Sequence, residues 1–104
     1  MADKLELPAG LTSDNMYHLL EPVKYQVGDE PETLRQLQLR RMTGAELEIM
    51  DKPIAYTVKL YELVEAMTDL PRIVVRKIDA ADWDRLDDVF GYFRQPGSVT
   101  GAIS

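Results

Sequence analysis

Met16, His18 and Leu20 occupy every second position of one early stretch, and in the next stretch Val23, Tyr25 and Val27 alternate with Lys24 and Gln26, as apolar and polar residues do in a half-buried β-strand. Pro22 separates the stretches and marks a bend or a sheet edge, because proline lacks an N–H donor. Residues 28–31 carry a turn signal, and a returning alternation follows. The pattern predicts an antiparallel hairpin or small meander whose apolar face consists of Met16, His18, Leu20, Val23, Tyr25, Val27, Leu37 and Leu39.

Helical periodicity replaces this alternation after residue 42. Thr43 and Glu46 have the spacing of a capping box, which predicts a short helix through about residue 50. Pro53 is suited to the first turn of a second helix, which we expect to run to about residue 67. At 100° per residue, one broad arc of that helix is apolar and predicts its buried side: Tyr56, Leu60, Leu63, Val64 and Met67.

Two further helices are indicated towards the end of the chain. Pro71 can open a short helix, and Asp79 can cap a last one that begins with an acidic turn. The last helix has the clearest amphipathic pattern, with its apolar stripe at Trp83, Leu86, Val89, Phe90 and Phe93. The predicted fold class is therefore α+β: a small antiparallel β-hairpin or meander followed by three to four short helices.

The chain has 104 residues, a length that fits one domain. Residues 1–13 are predicted to be a flexible N-terminal arm, residues 14–94 a single α+β domain, and residues 95–104 a flexible C-terminal tail. The first ten residues lack the apolar stretch of a signal peptide, and no run approaches the ~18 apolar residues of a membrane span. We expect a soluble protein of the cytoplasm.

Composition narrows the classes of partner. The 18 acidic and 12 basic residues give a formal charge of −6, which disfavours binding to a phosphate backbone. The acidic surface serves either solubility or a basic partner. The chain has no cysteine, so disulfides and thiolate metal sites are excluded.

The search for catalytic chemistry finds no constellation. His18 is the single histidine and lies among apolar neighbours, where a packed or edge position is the ordinary role. The acids of the last helix, from Asp79 to Asp88, lack the loop spacing of a calcium site and indicate a solvated helix start. We therefore predict a protein that is not an enzyme and has no cofactor or metal.

A partner surface is predicted around the second helix. Ile54 and Val58 lie outside its apolar arc, Tyr61 lies at the edge of that arc, and Met50 precedes it. Burial against the neighbouring helix would explain this strip, and so would contact with a partner, since methionine adapts to irregular surfaces. Ile54, Val58, Tyr61 and Met50 are accordingly the predicted partner-binding residues.

Four short motifs follow one another along the chain: Leu20-Glu21-Pro22-Val23, Leu37-Gln38-Leu39-Arg40 with the following Thr43, Thr68-Asp69-Leu70-Pro71, and Ile78-Asp79-Ala80-Ala81-Asp82. In this order they resemble the tail assembly chaperones of Mu-like and related contractile-tailed phages. Together they cover roughly residues 16–93. The chain departs from the family pattern at Met42, where proline is usual, and at Asp69, where glycine is usual.

This resemblance implies a non-enzymatic role in phage tail morphogenesis in the cytoplasm of the bacterial host. It implies binding to the tape measure protein, with the tail tube protein and a frameshifted longer form of the same chain as further partners, and it leaves homo-oligomers open. It implies no nucleic-acid or membrane partner and supplies no catalytic residues. Two alternatives remain: a structural tail or baseplate component of the virion, and an acidic regulatory binding protein.

Overall fold

The computed structural model describes residues 6–96. Two strands precede four helices: β1 (Met16–Val27), β2 (Glu30–Gln38), α1 (Gly44–Met50), α2 (Tyr56–Thr68), α3 (Arg72–Val75) and α4 (Ala80–Phe93). The α+β class is confirmed, and the strand region is a hairpin, because the described residues form one two-stranded sheet. Residues 1–5 of the predicted arm and residues 97–104 of the predicted tail lie outside the described range.

The hairpin closes where the turn signal predicted. Val27 pairs with Glu30 across the two-residue turn Gly28-Asp29. Gly28 has φ +61°, a left-handed conformation that glycine adopts without a steric penalty and that matches the twist of two-residue hairpins.

The strands change register around Pro22. His18 pairs with Gln36 but Val23 pairs with Leu34, so residues 19–22 of β1 lie opposite Arg35 alone. This bulge leaves several backbone N–H groups of β1 without a partner in the ladder. The predicted break at Pro22 is therefore a bulge within one long strand.

The predicted inward face of the first half of β1 is wrong. Tyr17 and Leu19 are buried, whereas His18 and Leu20 are exposed and Met16 is half-buried. Residues 16–20 are apolar at most positions, so periodicity could not decide which set faces inward. Packing of α4 against β1 decides it.

Asp82 of α4 satisfies the donors that the bulge leaves free. Its Oδ1 accepts from the Tyr17 hydroxyl at 2.6 Å and from the Leu20 N–H at 2.8 Å, and its Oδ2 accepts from the Glu21 N–H at 3.2 Å. Because all three partners donate, both oxygens act as acceptors, as in an ionised carboxylate. Burial, followed by the bond to Asp82, raises the pKa of Tyr17.

The prediction that the acids at the start of the last helix are solvated is wrong for Asp82. Its side chain is completely buried, while Asp79, Asp84, Asp87 and Asp88 are exposed. Asp79 caps α4 as predicted, since its side chain accepts from the Ala81 N–H at 2.9 Å.

A second buried carboxylate joins β2 to α1. Glu46 completes the predicted capping box by accepting from the Thr43 N–H at 2.7 Å, and Arg40 donates to its other oxygen at 2.8 Å. The Arg40 guanidinium and the Thr43 donors hold the pKa of Glu46 down at about 2, against the cost of burial. The Leu47 side chain in the same helix is exposed.

α2 starts later than predicted. Ala55 is its N-cap, so Pro53 and Ile54 precede the helix rather than form its first turn. α2 ends at Asp69, which has φ +62° in the position where the family pattern has glycine. α3 and α4 follow Pro71 and Asp79 as predicted.

The core lies between the hairpin and the helices. It contains Tyr17, Leu19, Val23, Leu37, Leu39, Leu60, Leu63, Val64, Val74, Val75, Ile78, Leu86, Val89, Phe90, Tyr92 and Phe93. Leu11 of the predicted arm is also buried there, and Gly10 and Thr12 make backbone hydrogen bonds to β1. A side chain at Gly10 would collide with the Tyr17 ring, because a Cβ there would lie 2.7 Å from it.

Candidate functional site

The residues of the four resemblance motifs make contacts that stabilise the fold. Asp82, which closes the fourth motif, satisfies the bulge formed by the first motif, and Arg40 of the second motif holds the start of α1. The Thr68 hydroxyl of the third motif donates to the Val64 carbonyl at 2.7 Å and caps the end of α2. A binding surface must therefore be sought among residues outside these contacts.

The aromatic groove, as we call the concavity between α2 and the start of α4, is the most distinctive surface of this kind. Its volume is about 460 Å³, within the usual range of ligand-binding clefts. It is lined by Tyr56, Thr57, Leu60, Tyr61, Arg76, Ile78, Ala80, Trp83, Asp84 and Asp87.

Two aromatic rings form a rigid unit in this groove. Tyr61 and Trp83 pack edge to face, with ring centroids 5.3 Å apart and an interplanar angle of 62°. The Arg72 guanidinium lies 5.6 Å from the Tyr61 ring centroid and also bonds to Glu65. The indole N–H of Trp83 is buried and has no hydrogen-bond partner among residues 6–96.

Tyr56 extends the groove towards solvent. It is 50% exposed, although the helical arc predicted burial, because it is the first residue of α2 and no further turn covers it. Its hydroxyl donates to Asp87, and this bond, with partial burial, raises the pKa of Tyr56 to about 12. The phenol is therefore neutral at physiological pH.

The charge at the rim of the groove is mainly negative. Asp84 and Asp87 contribute two carboxylates and Arg76 one guanidinium. Asp84 and Asp87 are exposed, and neither forms an ion pair among the described residues. The groove thus offers an apolar floor with acceptors at its edge.

The structure separates the predicted partner-binding residues. Tyr61 lines the aromatic groove, whereas Met50, Ile54 and Val58 lie at the end of α1, in the connection and in the first turn of α2. All four are partly buried, and Met50 and Tyr61 pack against the core. Their role in partner binding stays a prediction.

The remaining groove residues were not predicted from the sequence. Tyr56 and Trp83 carry the periodicity of buried positions, and Asp84 and Asp87 resemble any solvated face. The late start of α2 exposes Tyr56, because a helix that begins at this residue leaves its ring without a covering turn, whereas the sequence predicts a first turn at Pro53.

His18 is exposed on β1, and no group of three or more histidine, aspartate or glutamate side chains in residues 6–96 could hold a metal ion. No helix in the same range is long and apolar enough to cross a membrane.

Comparison with known proteins identifies one family. The family model described as "Phage tail assembly chaperone proteins, E, or 41 or 14" matches residues 16–95, which include the hairpin, all four helices and the groove. Two curated relatives from two strains of Halobacterium salinarum, each named "HGPRTase-like protein", are 34% identical over 71 residues. That match covers 64% of this chain but only 38% of the relatives' length. No solved structure matches the chain.

Proposed function

Because the chain belongs to the family of phage tail assembly chaperones, we propose that it binds the tape measure protein during tail morphogenesis, in the cytoplasm of the bacterial host. The tape measure protein would occupy the aromatic groove while the tail is built. Membership of the family indicates a binding role rather than catalysis, and partners among phage tail proteins.

The aromatic groove is the observation that supports this proposal. A chaperone that holds an aggregation-prone chain needs exposed apolar surface together with charge that keeps the complex soluble. Tyr56, Tyr61 and Trp83 supply rigid aromatic contacts, the residue types that contribute most at protein interfaces. Asp84 and Asp87 supply the charge at the edge.

The predicted strip at Met50, Ile54 and Val58 is a second part of this proposal. It lies beside the start of α2, so a long client could leave the groove along it. Variants of the two surfaces distinguish their contributions, because only Tyr61 of the predicted set lines the groove.

Co-expression with the cognate tape measure protein tests the proposal. We expect a soluble complex that survives purification, and we expect Tyr56→Ala to reduce co-purification at least fivefold. Ile73→Ala is the matched control, since Ile73 is 70% exposed and lies outside the groove. A tape measure protein that is equally soluble without the chain, and forms no complex with it, would refute the proposal.

Two further measurements distinguish binding at the strip and a structural role in the virion from the proposed function. If Val58→Ser abolishes binding while Tyr56→Ala still forms the complex, the client binds the strip at Met50, Ile54 and Val58 rather than the groove. Stoichiometric amounts of the chain in purified virions, measured by mass spectrometry, would instead support a structural tail component.

A further inference from the structure

We propose that the segment held by the aromatic groove is an amphipathic helix with lysine or arginine beside its apolar face, and that these cations pair with Asp84 and Asp87. This inference rests on the proposed function and adds the chemical class of the bound segment.

The spacing of the two carboxylates matches a helical partner. Asp84 and Asp87 are three residues apart on α4, so they lie on one side of the helix, about 4.5 Å apart along its axis. Basic residues three positions apart on a client helix have the same axial separation, and residues four positions apart differ from it by only about 1.5 Å. A helix packed along α4 could therefore bring two cations to the two carboxylates at once.

The groove supplies the apolar half of the recognition. Tyr56 is half exposed beside the edge-to-face rings of Tyr61 and Trp83, and together they can cover the apolar stripe of a helix. Burial of a client beside Asp84 and Asp87 without cations would desolvate both carboxylates and leave them unpaired, which is costly. A client with acidic flanks is thus excluded from this groove by the same groups that favour a basic one.

A second concavity provides an internal comparison of opposite charge. It lies between the hairpin and α3, and its lining includes Lys24, Lys77 and Glu32. Neither lysine forms an ion pair among residues 6–96. A peptide attracted only by exposed charge would bind the concavity of opposite sign. An acidic peptide would then bind beside Lys24 and Lys77 and leave the aromatic groove empty.

Tryptophan fluorescence reports binding at the groove directly, because Trp83 is the single tryptophan of the chain. The probes are two synthetic helical peptides with one shared leucine stripe, flanked in one case by lysine and in the other by glutamate. Two exposed ion pairs in one complex, set against two like-charge contacts in the other, predict that the lysine peptide binds about tenfold more tightly at low salt. It should also change the Trp83 emission.

Paired variants separate local pairing from net charge. Asp84→Asn with Asp87→Asn should reduce the preference for the lysine peptide below threefold. The matched control is Asp29→Asn with Glu30→Gln at the hairpin turn. It removes the same charge outside the groove lining and should retain the preference for the lysine peptide. If the double variant does not fold, Asp84→Asn alone is used, since the Asp84 side chain makes no hydrogen bond among the described contacts.

Equal loss in both variants, or equal affinity for the two peptides, would overturn the inference. The proposed function fails separately. Co-purification of the tape measure protein with no charge preference in the peptides would retain the function and remove the inference. Binding of the lysine peptide as expected, with no tape measure complex, would retain the chemistry of the groove and remove the function.

Discussion

Asp82 is the residue whose replacement tests the fold most directly. It joins α4 to the bulge of β1 across more than sixty positions of sequence, through the Tyr17 hydroxyl and the N–H groups of Leu20 and Glu21. No local element could replace these contacts, since the bulge removes the donors from the sheet ladder. We therefore expect Asp82 to affect the stability of the whole domain.

The magnitude follows from the acceptors that each substitution removes. Asp82→Asn keeps one oxygen for Tyr17 and Leu20 but turns an amide donor towards the Glu21 N–H, so one charge-assisted bond is lost and two become neutral. This costs about 2–3 kcal/mol. Asp82→Ala leaves the buried Tyr17 hydroxyl and the Leu20 N–H unpaired, at a cost of about 3–6 kcal/mol. A domain of this size has roughly 5–15 kcal/mol in total, so the alanine variant should lose a large share of its free energy of unfolding.

Urea unfolding followed by circular dichroism and Trp83 fluorescence measures these changes. A loss of 2–3 kcal/mol corresponds to a midpoint lower by about 2 M urea for a small domain. Asp88→Asn is the matched control, because Asp88 is an exposed aspartate on the same helix, and it should stay within ~0.5 kcal/mol of wild type. If Asp82→Asn were no less stable than Asp88→Asn, the bulge would not depend on this carboxylate.

Three further predictions concern single positions. The free energy of unfolding should fall by up to about 3 kcal/mol as pH drops from 5 towards 2, because Glu46 has a folded pKa of about 2 against 4.5 unfolded; Glu46→Gln should remove most of this dependence in urea titrations at each pH. Asp69→Gly should raise the free energy of unfolding by about 0.5–1 kcal/mol, because glycine adopts φ +62° without a steric penalty. Asp51→Gly should lower it, because Asp51 has φ −88°. Equal effects of the two substitutions in thermal melts would contradict this conformational explanation. Gly91→Ala should stabilise α4 by about 0.5–1 kcal/mol because its Cβ site is open, whereas Gly10→Ala should destabilise through the Tyr17 ring; the opposite order of melting temperatures would refute this reading.

The sequence predicted the fold better than it predicted the candidate site. Of the predicted partner residues, Tyr61 lines the aromatic groove, while Val58 lies in the first turn of α2 and does not. The groove exists because residues of α2 and α4, which are distant in sequence, meet there, as the contact of Tyr61 with Trp83 shows. Periodicity assigns each residue to a face of its own helix, but it does not state which faces meet.

The sequence by itself determined the elements and the family. The turn at Gly28, the capping box of Thr43 and Glu46, the cap at Asp79 and the stripe of α4 depend on residues a few positions apart, so local physics suffices. Tertiary structure alone decided which face of residues 16–20 is buried, and that one of five similar aspartates is the buried one. Both depend on Asp82 meeting the bulge of β1, a contact whose partners are brought together only when the chain folds.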